Sequence, residues 1–247
     1  AWGEIETDGD IEDVVILPGD VGDEEDHVYY LVKRTIGALE KRFLEKWAFE
    51  NECIGGTLNK QADCFIEYNQ AASATITGLS HLATETVIVW DNGKCLRTSA
   101  GAIATFVVTA GGEITVTNNG ATYLATNGIV GLAYTASWKS SMLVELMGQV
   151  GGSLTDTQQI KALSLILADV HAKGLLYGQS LTESEMNDLP ESVDGAVVDP
   201  DAIRTAYILE PGAFPGTWPQ DARLCLLAKA PRPATVLAAL VEVEHHG

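Results

Sequence analysis

Residues 24–47 read EEDHVYYLVKRTIGALEKRFLEKW. Val28, Tyr30 and Val32 alternate with Tyr29, Leu31 and Lys33, the period-2 pattern of a strand with two different faces. Gly37 sits where the pattern breaks, and Arg42, Phe43, Leu44 and Glu45 resume it on a return strand. The stretch predicts a β-hairpin with its turn at Gly37. It carries no catalytic pattern and reads as scaffold, so the first question is what larger β structure it belongs to.

Short β-branched runs between turn signals continue through the middle of the chain. Residues 86–90 (TVIVW) end at Asp91-Asn92-Gly93, a two-residue hairpin signal with its flank. Residues 106–109 lead to Gly111-Gly112, residues 113–117 to Asn118-Asn119-Gly120, and residues 122–126 to Asn127-Gly128. Residues 129–138 follow, with Val130, Leu132 and Tyr134 on one face. Strands this short at such spacing predict a small barrel or sandwich.

Three charge zones suggest the domain organisation. Residues 1–27 contain Asp and Glu but no Lys or Arg, and 183–221 are acidic with Arg204 as the sole basic residue. Residues 71–140 hold only Glu85, Asp91 and Glu113 against Lys94, Arg97 and Lys139. The expected fold is therefore mainly β with antiparallel sheets. An acidic loop and hairpin (1–50) would belong to a main β body. A connector (51–69) would lead to an inserted small β-barrel or sandwich (70–140), and 141–247 would return to the main body. Residues 160–170 (IKALSLILADV) fit a helix through Ile160, Leu163, Leu167 and Val170, and a strand through Leu163, Leu165 and Leu167. Periodicity alone leans to helix, whereas the following GLLYG (174–178) favours a strand pair. Residues 180–220, punctuated by Pro190, Pro200, Pro211, Pro215 and Pro219, read as a long acidic loop. Strands are expected at 222–229 and 235–244.

The chemistry is sparse. Cys53, Cys64, Cys95 and Cys225 have neither zinc-ligand spacing nor the density of a disulfide framework. His27, His81 and His171 stand alone, and no HExxH, GxSxG or phosphate-loop motif occurs. The acids Asp20, Asp23, Glu24, Glu25 and Asp26 lack the alternating ligand spacing of a calcium loop. No metal or cofactor is expected. A formal net charge of −19 opposes nucleic-acid binding by counterion release. No apolar run reaches the ~20 residues of a membrane-spanning helix. The opening residues lack a signal-peptide pattern and an initiator Met, which suggests a piece of a longer protein.

A family resemblance rests on scattered motifs. Trp2, Thr7-Asp8-Gly9, Lys33-Arg34-Thr35 within 28–35, Gly37 and the return strand through Glu45 resemble the large tail proteins of short-tailed bacteriophages, the nozzle or tail tubular protein B class. So do Gly216-Thr217-Trp218, Asp221-Ala222-Arg223-Leu224 and Pro231-Arg232-Pro233-Ala234-Thr235-Val236-Leu237. TITGLSHL (75–82), residues 87–91 and Val130-Gly131-Leu132-Tyr134 resemble the β insert of such proteins, which often carries a label borrowed from a ubiquitin-activating-enzyme half-domain. The resemblance implies the end of a larger, propeller-type β assembly and a strand at 160–170. It also implies a structural role in the virion tail: a homo-hexameric ring around a DNA channel, docked to tail adaptor proteins and the portal, with further contacts to tail fibres. It supplies no catalytic residues.

On that reading Asp20, Asp23, Glu24, Glu25 and Asp26 are expected to face a lumen through which DNA passes without sticking. Lys33, Arg34, Lys41 and Arg42 are expected to pair with acids of the same or the next subunit rather than with DNA. Two other readings compete. A host-glycan-binding tail adhesin would expose Trp90 or Trp138. A tail-associated glycan hydrolase would need two carboxylates brought together in space.

Overall fold

A computed structural model of the chain describes residues 2–19, 25–143, 157–193, 195–214 and 222–246. Its residues are mainly in strands of several antiparallel sheets, as the turn-punctuated sequence predicts, and no closed barrel forms among the described residues. The chain opens with β1 (Trp2–Glu6) and divides into two compact units, one of residues 6–134 and one of residues 1–5 with 135–247.

In the 6–134 unit, β2 (Asp10–Leu17), β3 (His27–Ile36) and β4 (Leu39–Lys46) form a sheet in the order β2-β3-β4. The expected hairpin is β3–β4, with Ile36 opposite Leu39. Gly37 (φ 57°) and Ala38 (φ 67°) are both left-handed residues and form a two-residue turn whose twist matches the right-handed twist of the strands. Val32, Arg34 and Ile36 are buried on one face. Ahead of the expected acidic loop, residues 10–17 form a third strand on this hairpin.

A second sheet contains β5 (Asp63–Ser73), β7 (Thr86–Asp91), β8 (Lys94–Cys95), β9 (Thr105–Val107) and β13 (Ala125–Leu132). Its order is β5-β13-β7-β8, with β9 also on β7. Two small ladders complete the unit: β6 (Thr75–Ile76) with β10 (Ile114–Thr115), and β11 (Thr117–Asn118) with β12 (Ala121–Thr122). Val87, Val89, Leu96, Val130, Leu132, Leu79 and Leu82 share one core with Ile36 of β3, and Phe43 of β4 packs against it. The hairpin and the middle zone are therefore one unit. The expected connector at 51–69 is partly strand β5, which pairs along β13.

The turns at Asn92-Gly93 and Asn119-Gly120 form as predicted, each with two residues at positive φ. Asn127-Gly128 is different, because it lies inside β13. Gly128 lets β7 come close: a Cβ there would run into the Trp90 carbonyl oxygen and approach Asp91 Cα to 2.9 Å. A strand glycine can mark close backbone approach as readily as a turn.

In the other unit the sheet order is β1-β14-β21-β16-β17, built with β14 (Thr135–Lys139), β16 (Leu175–Gly178), β17 (Asn187–Asp188) and β21 (Cys225–Lys229). A three-stranded sheet, β20-β15-β22, comprises β15 (Thr157–His171), β20 (Ile203–Ala213) and β22 (Thr235–His246). β18 (Ser192–Val193) and β19 (Ala196–Val197) form a small ladder. Leu163, Leu165, Leu167 and Leu209 of one sheet share a core with Leu175, Leu224 and Leu226 of the other side, so the two sheets face one another.

Residues 160–170 are strand, with β20 and β22 on either side. The helix-like stripe has a physical origin. A register shift between Ile160 and Ala162 and a left-handed Asp169 (φ 45°) each disturb the alternation. Ile160 and Val170 are therefore buried with Leu163, Leu165 and Leu167. The expected pairing with 174–178 does not occur, because β16 hydrogen-bonds to β17 and β21 instead. The expected loop at 180–220 is also overturned in part: β20 runs through it. β20 accommodates Pro211 because it is an edge strand with a register shift in its pairing near Leu163.

Candidate functional site

Three of the four basic residues singled out on the hairpin, Lys33, Arg34 and Arg42, face acids of their own chain. Lys33 Nζ lies 3.3 Å from Asp10 and 3.8 Å from Glu40. Arg42 grips Glu12 with both ends of its guanidinium, at 2.6 and 3.0 Å. Lys41 is half-buried, opposite Arg34 in the register.

Arg34 is fully buried. It donates through Nε and Nη2 to the two Glu45 oxygens at 3.1 and 2.9 Å, and through Nη1 to Thr7 Oγ1 at 3.1 Å. Asp63 lies 3.8 Å away and accepts a hydrogen bond from Thr7. Burial works to lower the Arg34 pKa, but the hydrogen bond and charge of Glu45 outweigh it and hold the group above its ordinary value. Burial raises the Asp63 carboxyl against the opposing pull of Thr7 and Arg34. The geometry makes Glu45 the principal counter-charge and Asp63 a weaker one. Beside them, burial pushes the Cys64 thiol up to about 12, with Glu45 adding to it. A thiol held protonated is a poor nucleophile, so this cluster fastens β3, β4 and β5 together rather than performing chemistry.

A second buried polar centre was not singled out in the sequence. Asp91, at the end of β7, is 0% exposed. Its Oδ1 accepts from Tyr68 Oη at 2.7 Å and from the Thr126 and Asn127 amides at 2.9 and 3.0 Å. Its Oδ2 accepts from Tyr123 Oη and Asn92 Nδ2, both at 2.8 Å. The Asp-Asn-Gly turn reads as a loop signal and conceals this second role. No positive charge is among these partners, and the arrangement leaves no open position for a substrate. Among the described residues, no group of three His, Cys, Asp or Glu could hold a metal ion.

Of the acids expected to face a lumen, Glu25 and Asp26 are exposed, while Asp20, Asp23 and Glu24 lie outside the described residues. Of the two tryptophans weighed as a glycan platform, Trp90 is buried and Trp138 half-buried. Trp90 is 0% exposed and donates Nε1–H to the Gly56 carbonyl at 2.8 Å. Tyr123 is tied to Asp91, and Trp138 packs against the core of its unit.

Two apolar features remain uncovered. All eight positions of β2 are exposed. Ile11, Val14, Val15, Ile16 and Leu17 are between 44% and 64% exposed, and among the described residues the strand hydrogen-bonds to β3 on one side only. A run such as VVIL is typical of a strand covered on both faces. In the sequence that run lies inside an acidic zone, directly after Asp10, Glu12 and Asp13.

The second feature is an apolar cleft of about 630 Å³ in the 135–247 unit. Gly3, Ala136, Trp138, Leu226, Ala228 and Ala239 are among the residues that line it. Ala239 opposes the fully buried Leu165 across the β15–β22 ladder, yet is itself exposed. The two facing sheets are thus left open at this end.

The sequence matches no protein-family model and no curated protein.

Proposed function

We propose that this chain is a structural virion protein of a phage tail, part of a ring-shaped nozzle through which DNA is ejected. The observation that carries the reading is the uncovered strand β2. An apolar strand with a free edge and two bare faces is a liability in a monomer, and natural monomers charge, cover or shorten such edges. Its retention fits a chain that is completed by assembly.

Other features support the same reading. The polar clusters at Arg34 and Asp91 are saturated by partners from their own unit and serve as rivets. Lys33 and Arg42 are engaged with Asp10 and Glu12, which leaves the acid surplus to dominate the surface. A wall of that sign gives phosphate few contacts. The adhesin reading is weakened by the burial of Trp90 and the packing of Trp138. The remaining parts of the proposal are the six-fold ring, its docking to tail adaptor proteins and the contacts with fibres.

Negative-stain images of the purified protein test it. Rings of uniform diameter with a central channel are the expected result. A monodisperse monomer at micromolar concentration would refute the assembly.

A further inference from the structure

We propose that β2 of one copy of this chain docks into the open cleft beside β22 of a second copy, filling it with side chains of the Val14–Leu17 run. The inference deepens the ring reading and rests on it, since it names the surfaces that join neighbouring subunits.

Three observations point to this occupant. First, donor and acceptor are both built for strand addition. Among the described residues β2 has an unpaired hydrogen-bonding edge, and the cleft is bordered by β1 and β22, each likewise at the end of its sheet with one side unpaired. Second, the sizes are complementary. On the cleft side, Ala136 and Ala228 oppose each other across β14 and β21, in line with the core residues Trp138 and Leu226. Ala239, itself exposed, lines the same cleft. Small residues here leave room for the aliphatic side chains that β2 exposes. Third, the charges allow it. Two chains of net charge −19 repel, so contact must be made where neither brings free charge. Residues 14–17 carry none, the strand's Asp10 and Glu12 are engaged by Lys33 and Arg42 of their own chain, and Asp13, its one remaining acid, lies outside the docking run and accepts from the Val14 amide at 2.8 Å. The cleft lining contains one charged residue, Glu4.

The two surfaces differ, so the contact is heterologous: each copy gives a strand to one neighbour and accepts one from the other. Repetition of such a contact closes into a ring when the rotation allows it. A symmetric β2–β2 pairing would stop at a dimer.

The test uses the 247-residue chain with two kinds of variant. One carries Val14→Asp and Ile16→Asp, which spoil the donor strand and leave the cleft intact. The other carries Ala136→Trp, which fills the cleft and leaves the strand intact. Thermal melts establish that each remains folded. Each alone is expected to be monomeric by light scattering at a concentration about tenfold above that at which the unaltered chain assembles. Mixed together they retain one intact strand and one intact cleft, and a 1:1 dimer is expected. In parallel, Ile16 is replaced by benzoylphenylalanine in an equal mixture of ¹⁴N and ¹⁵N chains, and irradiated products are digested and weighed. Cross-links of mixed isotope to peptides containing Ala136, Ala228 or Ala239 are expected.

Unchanged assembly of both variants would overturn the proposal while leaving the ring standing. So would cross-links confined to one chain, cross-links of β2 to β2, or labelling of some other surface. A monomeric unaltered chain, with no cross-link between copies, would remove the ring reading and this inference together.

Discussion

Asp91 gives the sharpest test of what holds the 6–134 unit together. A buried carboxylate faces a desolvation cost of several kcal/mol, and many such groups can be replaced without loss. The outcome depends on what surrounds it. Here five donors converge on two oxygens: the Tyr68 and Tyr123 hydroxyls, the Asn92 amide, and the main-chain N–H groups of Thr126 and Asn127. Asp91→Asn keeps the shape and removes the charge. Its carbonyl can still serve Tyr68, Thr126 and Asn127 as a neutral acceptor, but its NH₂ now meets the Asn92 NH₂, donor against donor. Hydrogen bonds to a charged group contribute about 1.5–3 kcal/mol and neutral ones about 0.5–1.5. Losing one and weakening the rest therefore costs about 3 kcal/mol, or roughly 10 °C in the melting temperature of a unit this size. Tyr68→Phe should cost about 2 kcal/mol in the unaltered chain and about 1 in the Asp91→Asn background, because the acceptor is already neutral. Calorimetry of the four chains reads both numbers. A single Asp91→Asn change within about 0.5 kcal/mol of the unaltered chain would refute the claim that these donors require a carboxylate.

Other consequences follow from the same geometry. Arg34→Ala leaves Glu45 and Asp63 part-buried without their cation and is expected to cost about 3–5 kcal/mol in urea unfolding, with Arg34→Lys between it and the unaltered chain because lysine cannot serve Glu45 through two nitrogens. Gly128→Ala places a methyl group against the Trp90 carbonyl, and a loss of more than about 3 kcal/mol or a failure to yield soluble protein is expected. Alkaline pH should weaken the fold in a defined window. Burial raises the Cys53 thiol to about 11 and the Cys64 thiol to about 12, above the ordinary value of 9.0, so folding favours their protonated forms. Their contribution is complete below pH 9 and is lost as pH rises through 11 to 12. Unfolding midpoints measured from pH 8 to 11 should fall, and Cys53→Ser with Cys64→Ser should flatten that slope.

The hairpin and the turns at Asn92-Gly93 and Asn119-Gly120 were legible because their causes are local: alternation sets the faces, and left-handed residues set the turns. The misses share a non-local cause. Asn127-Gly128 carries the same letters as a turn, but its glycine serves the neighbouring strand, and only the partner backbone reveals that. Residues 160–170 show a helical stripe because two irregularities displace a strand's alternation, which the one-dimensional pattern cannot distinguish from a period of 3.6. β20 was concealed by Pro211, which an edge strand tolerates and a central strand would not. Charge zoning misplaced the unit boundaries for a related reason. It separates acidic β2 and basic β4 from the neutral middle zone, although Ile36 and Phe43 of the hairpin pack on the core that the middle zone forms. Surface charge reports what a segment shows to water and is silent on what its other face covers.

The same distinction bears on the proposed passage of DNA. A lumen that does not hold phosphate does not depend on a particular acidic loop; it depends on the absence of free cations. Lys33, Arg34, Arg42, Lys60, Lys161, Lys173 and Lys229 each lie within 4 Å of a carboxylate of the same chain. Among the described residues at least these seven of the chain's fifteen Lys and Arg are engaged, against thirty-four Asp and Glu. Pairs on the surface contribute little to stability, and salt screens them. Their effect on a passing polyanion is larger, because each engaged cation is one fewer counterion-releasing contact. Under the proposed function, intrachain pairing on the hairpin would serve two ends at once. It would remove adhesive points for DNA, and it engages Asp10 and Glu12 on β2, the strand that the proposed neighbouring subunit would approach.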